Sequence, residues 1–230
     1  MKKSGLSQEW LKLIACVTML IDHIGAALLP QYLWMRYIGR IAFPIYCFLL
    51  AEGVHYTKNP KKYGQRLGVG VLLSELPFDL ALFGGVTLYH QSVMLTLFIA
   101  FLMALTMKQV RPVIIQVLIV IPFALAAEWL RTDYGGMGIV LVAMFVLTRE
   151  LPARPVIQTI CMAPILWMMD SMWAEIAGIW MPVEMLALLS MIPIGVYSGR
   201  KATGSKGVQA AFYLFYPAHL LILYLISVIR

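Results

Sequence analysis

Apolar runs on the order of 20 residues follow one another along this chain, separated only by short polar connections. At about 1.5 Å of rise per helical residue, such a run matches the hydrocarbon thickness of a bilayer. Inside lipid, every backbone N–H and C=O must be satisfied within the spanning structure, and for runs of this length that means helices. The expected fold class is therefore all-α: a polytopic integral membrane bundle of about nine transmembrane helices. The spans fall at 10–29, 34–56, 63–83, 92–107, 111–130, 136–148, 155–170, 182–197 and 210–229. The composition agrees, at 61% hydrophobic and 13% charged residues, against about 45–50% and about 25% for soluble domains. No polar stretch is long enough for a separate soluble unit, so residues 1–230 read as one transmembrane domain.

The basic residues fix an orientation. Lys2, Lys3, Lys58, Lys61, Lys62, Arg66, Lys108, Arg111, Arg149, Arg154, Arg200, Lys201 and Lys206 all fall on one side of the expected spans. Only Arg131 and Arg230 fall on the other, while the seventh connection carries the acids Asp170 and Glu175. Cytoplasmic loops accumulate Lys and Arg, so the expectation is a multi-pass protein of the inner (plasma) membrane, N-terminus in and C-terminus out. The net charge of +7 is accounted for by topology and not by a nucleic-acid partner. The first span has no small-residue cleavage site behind it and reads as an anchor, not a signal peptide. Cys16, Cys47 and Cys161 lie inside apolar runs without C-x-x-C spacing and read as buried, unreactive thiols. The ATGSKG run, Ala202 to Gly207, reads as a flexible inner loop.

Several spans carry ionisable groups, which are costly in lipid and mark functional sites. Arg36 and Arg40, four apart, share a helix face. Arg40 lies ~9 Å below the outer surface, at the depth of Glu75 and Asp79, which flank Pro77. His23 and His219 reach a similar zone, and the DYGGMG stretch puts Asp133 and Tyr134 at its rim. Arg40 is expected to pair with Glu75 or Asp79, and Arg36 to snorkel toward the interface. Glu52 and His55 read as an interfacial pair and His90 as a solvated loop residue. No metal site is expected, because no ligand spacing accompanies these residues.

In the first span, Lys12 and His23 are eleven positions apart. Eleven steps of about 100° come within about 20° of three full turns, so both side chains lie on one stripe, ~16 Å apart along the axis. A cation at the inner mouth and an imidazole further along suit a ligand with an anionic head and a long thin arm. Acyl-coenzyme A has that shape. Its phosphate could meet Lys12, and its thioester would lie near His23 acting as general base or transient acyl carrier. Asp22 points about 100° away from His23 and is a poor orienter for it. A carboxylate from another span, Glu75, Asp79 or Asp133, is expected instead. Arg40 could pair with that carboxylate or steady an oxyanion.

A basic residue, ten residues and then histidine in a first span resembles the signature of the acyltransferase-3 membrane acyltransferases. More closely, LKLIACVTMLIDHIG, RYIGRIAFPIYCFLLAEG, LLSELPFDL, DYGGMG and FYLFYPAHLLIL, in this order over nearly the whole chain, are similar to the TraX family. That family is named for a conjugation protein implicated in N-terminal acetylation of F pilin. The resemblance implies an acetyl-CoA-dependent acetyltransferase using cytoplasmic acetyl-CoA and an amine or hydroxyl acceptor at the membrane or outer face, such as a membrane peptide or pilin. It carries Lys12 over as the coenzyme-binding residue and His23 as the catalytic one. It places Asp22, Arg40, Glu75, Asp79, Asp133 and His219 in the family's polar stretches. Two other readings compete. One is a proton-coupled transporter, for which the chain lacks a repeat in two halves. The other is a non-catalytic assembly factor for a surface appendage.

Overall fold

The computed structural model of the chain describes residues 5–169, 172–199 and 206–229. Lys2, Lys3, Asp170, Arg200, Lys201, Arg230 and most of the ATGSKG loop lie outside those residues. Helix occupies each expected stretch. The elements are α1 (Gln8–Ala27), α2 (Leu33–Gly39) followed closely by α3 (Ala42–Tyr56), α4 (Pro60–Phe83), α5 (Val93–Lys108), α6 (Val113–Trp129), α7 (Gly135–Leu147), α8 (Arg154–Met168), the 3₁₀ run η1 (Val183–Ser190), α9 (Met191–Gly195) and α10 (Lys206–Ile229). Three helical segments, Gln8–Ala27, Leu33–Tyr56 and Gly207–Ile229, are long and apolar enough to cross a membrane by length and composition. Val93–Lys108, Val113–Trp129, Gly135–Leu147 and Val183–Gly195 are shorter apolar helices. The fold is an all-α membrane bundle with one small hairpin.

That hairpin pairs β1 (Trp173–Ile176) with β2 (Ile179–Pro182), antiparallel. Its two turn residues, Ala177 and Gly178, both have positive φ, +52° and +80°, as a primed two-residue turn requires. The stretch 182–197 is also not a single α-helix: it runs as 3₁₀ through Val183–Ser190 and turns α only over Met191–Gly195.

Prolines shape the helices that carry the site. Pro44 has no N–H to offer the carbonyl four residues back, that of Arg40, and the helix breaks between Gly39 and Ala42. There Ile41 N–H turns to the Ile38 carbonyl at 3.2 Å. α4 starts with Asn59 accepting the Lys62 N–H at 2.9 Å, Pro60 in the first turn, and stops at left-handed Gly84.

The core is built around α3, which packs on α1, α5, α7 and η1, while α10 lies against α4 and α1. Ile45, Cys47 and Phe48 of α3 are fully buried, and Phe48 meets Phe145 of α7 edge-on at 5.7 Å. Truncating an aromatic packed in this way costs roughly 3–5 kcal/mol. Of the cysteines, Cys16 and Cys47 are buried and Cys161 partly so, and all three are free.

Connections segregate to two ends of the bundle. At one end Lys108 Nζ donates to the Val54 and His55 carbonyls at 3.0 Å. Arg149 and Arg154 reach Glu52 there at 3.0 and 3.2 Å, and Leu6 bridges to Tyr197. Glu52 thus serves the α7–α8 connection and not the pairing with His55 expected from spacing. At the opposite end Gln91 bridges to Thr132.

Candidate functional site

Helical periodicity lines up Lys12, Cys16, Met19 and His23 on one face of α1, and that face borders two cavities. The first, about 520 Å³, is lined by Lys12, Cys16, Met19, Tyr46, Tyr63, Arg66, Val93, Phe212, Tyr213 and Tyr216 among others. The second, about 930 Å³, is lined by Met19, Asp22, His23, Arg36, Arg40, Tyr46, His90, Val93, Arg131, Asp133, Tyr134 and Glu184 among others. Met19, Tyr46 and Val93 border both, so Lys12 and His23 face adjoining chambers that share a wall.

His23 is oriented by a second histidine. Its Nδ1 lies 2.6 Å from Nε2 of His219 on α10, with the rings stacked 4.9 Å apart. Nδ1 of His219 is 2.7 Å from the Phe215 carbonyl, which only accepts, so that nitrogen carries the proton. Neutral His219 then presents a lone pair at Nε2, and His23 donates to it through Nδ1. The lone pair left on His23 is at Nε2, the state needed to accept a proton or attack a carbonyl. His219, expected among the catalytic-site residues but not as the orienter, is the group that orients His23, whereas Glu75, Asp79 and Asp133 make their contacts elsewhere.

Asp22 has a role of its own. Its two oxygens accept from Arg36 Nη1 at 2.6 Å and Arg40 Nη2 at 2.8 Å. Arg40 Nη1 continues to Glu184 Oε1 at 2.6 Å. The four side chains form one alternating network behind His23, with Asp22 and Glu184 both buried. Arg40 therefore pairs with Asp22 and Glu184, not with Glu75 or Asp79, and Arg36 is an ion-pair partner, not a snorkelling anchor. Glu184 escaped the sequence reading, although a lone acid in the apolar stretch MPVEMLALL was the available signal. The close approach depends on Gly39, where any Cβ would collide with the Asp22 carboxylate.

Glu75 and Asp79 support the chain between α4 and α5. Glu75 accepts from Ser92 N–H at 3.1 Å and from the Ser92 hydroxyl at 2.8 Å, holding the start of α5. Asp79 Oδ2 accepts from Thr87 N–H at 2.9 Å. At the mouth of the second cavity, Asp133 Oδ1 lies 3.1 Å from His90 Nε2. That hydrogen bond raises the His90 pKa above its usual value, against partial burial, which lowers it. His90 is thus tied to the rim and not freely solvated.

At the mouth of the first cavity Lys12 Nζ stands over the Phe212 ring at 5.5 Å. Arg66 lies between Tyr63 and Tyr213 at 5.7 and 5.6 Å. Among the described residues neither cation forms an ion pair with a carboxylate. Two cations in an aromatic-lined cavity favour a multiply charged anion. Arg66 was assigned to topology by its sequence position; the structure adds it to this mouth. Among the described residues no group of three His, Cys, Asp or Glu is placed to hold a metal ion.

A family profile described as "TraX protein" matches residues 7–227. The chain belongs to the TraX family. Both cavities, the histidine pair and the Asp22 network lie within the TraX match. Among curated proteins, the chain is 30% identical over 234 residues to a probable fimbrial assembly protein FimC, serogroup H1, of Dichelobacter nodosus, covering 93% of this chain and 92% of that protein. A shorter likeness, 46% over 54 residues, links it to the uncharacterized protein RP591 of Rickettsia prowazekii (strain Madrid E), covering 24% of this chain and 21% of that one. No solved structure matches the chain.

Proposed function

We propose that this TraX-family protein is a membrane-embedded acyltransferase. It takes acetyl from acetyl-CoA at the basic end of the bundle and delivers it to an amine or hydroxyl acceptor at the opposite end. The observation that supports this most directly is the histidine pair, in which His219 fixes the His23 tautomer so that Nε2 keeps its lone pair beside a cavity. Lys12 and Arg66 match the phosphate-bearing head of the donor, and the aromatic first cavity matches its arm. In this reading His23 removes the acceptor's proton, or carries the acyl group briefly. Asp22, Arg36, Arg40 and Glu184 keep the surrounding helices in register. All nine helical stretches cross the inner membrane, with the N-terminus and the basic end in the cytoplasm and the C-terminus outside.

The test is purified protein in detergent mixed with acetyl-CoA. Binding and slow turnover are expected from the wild type. His23→Ala should lower turnover by about 10²–10⁴ with coenzyme affinity nearly unchanged. Lys12→Ala and Arg66→Ala should weaken affinity more than turnover. A wild type that neither binds nor turns over acetyl-CoA defeats the enzyme reading.

One observation favours a second reading. The D. nodosus relative is named as a probable fimbrial assembly protein, which fits a factor that helps to build a surface appendage without chemistry of its own. The two readings converge if the acceptor is a pilin-like peptide. They part on turnover, because the assembly factor needs no lone pair on His23.

A further inference from the structure

Tyr216 lies on α10 one turn before His219 and is 5% exposed. It lines the first cavity, and its ring stands edge-on to His23, centroids 6.0 Å apart. Its hydroxyl is a buried polar group without a hydrogen-bond partner among the described residues. A buried hydroxyl in that state is unfavourable, and beside a cavity it can donate to an occupant that accepts a hydrogen bond. Tyr46, which borders both cavities, already engages its hydroxyl with Cys16 Sγ at 3.2 Å.

We infer that the Tyr216 hydroxyl is the oxyanion donor of the acyl-transfer site, aimed at the carbonyl oxygen of a thioester at the junction of the two cavities. The inference rests on the acyltransferase reading above. In the step it serves, the acceptor N–H or O–H loses its proton to His23 Nε2 as its heteroatom bonds to the carbonyl carbon. The carbonyl π electrons move onto oxygen, where Tyr216 O–H donates. As the tetrahedral species collapses, the C–S bond breaks, the coenzyme leaves as thiolate, and the proton held on His23 passes to sulfur. The products are the acylated acceptor and the free thiol. A hydrogen bond that strengthens as charge develops on oxygen acts on rate and not on ground-state binding.

The test is Tyr216→Phe in full-length protein in detergent. Loss of one oxyanion donor is expected to lower kcat by about 10²–10³, with KM for acetyl-CoA within about threefold of wild type. A trifluoromethyl ketone analogue of acetyl-CoA, which forms a tetrahedral adduct, should lose affinity by a comparable factor, whereas acetyl-CoA itself should not. Tyr224→Phe, further along α10, controls for loss of a phenol as such and should behave as wild type. An unchanged kcat in Tyr216→Phe overturns the assignment while leaving the acyltransferase reading standing. Equal losses of acetyl-CoA and ketone affinity also overturn it, by making Tyr216 a packing residue. Absence of acetyl-CoA binding and turnover in wild type overturns both.

Discussion

Adjacent helical residues point about 100° apart, and at Asp22 and His23 that angle assigns two jobs to consecutive positions. His23 turns to α10 and His219, and Asp22 turns to α2 and its two arginines. Removing one member of a buried charge network strands the others, at roughly 3–5 kcal/mol. Asp22→Ala is therefore expected to lower thermal stability in detergent by about 3 kcal/mol, at the low end because Arg36 is partly exposed. At the rim, the pKa of His90 is raised by Asp133, so the stabilisation from their contact is fully present below the unfolded value of about 6.5 and is lost as pH rises through the folded value. The melting temperature of wild type should exceed that of Asp133→Asn at pH 5.5, and the gap should shrink by pH 8.5. Local periodicity made the Lys12–His23 line legible in the sequence. The partners of Asp22 were not, because Glu184 lies 162 positions away (184 − 22) and no sequence period connects them.

Elements were legible where apolar length alone decides them, and were misread where composition conceals a backbone requirement. WAEIAGIWMP falls in the expected seventh connection with no strand anticipated, yet two positive-φ residues fold it back as a hairpin. Ala177 holds a left-handed conformation that costs a Cβ-bearing residue roughly 1–2 kcal/mol. Ala177→Gly, which removes that cost but loosens the unfolded chain, should stabilise the hairpin by up to about 1 kcal/mol, read from amide exchange of β1 and β2. The break at Arg40 likewise sets where Arg36 and Arg40 meet Asp22. Pro44→Ala would restore an N–H for the Arg40 carbonyl and straighten α2 onto α3, drawing Arg36 and Arg40 away from Asp22. The expected outcome is a fall in stability similar to that of Asp22→Ala, and little further loss in the double variant, because both changes break the same network.

Across the whole molecule, the contacts that join alternate connections at each end were anticipated by the distribution of lysine and arginine, a property spread over the chain and hence robust to misplaced boundaries. The proposed nine-crossing topology predicts that a C-terminal reporter active only outside the cytoplasm will be active, and that one active only inside will be silent. The division of the site into two chambers was not legible in the sequence, since Met19, Tyr46 and Val93 meet only in the folded bundle. If those chambers open to opposite faces, this apolar wall is a seal. In the proposed reaction an acyl group attached to a thin arm is presented at the wall and collected from the far side, while hydrated ions find no continuous aqueous path. A cell energised by its membrane potential could then keep such a protein in large numbers without short-circuiting the gradient on which it lives.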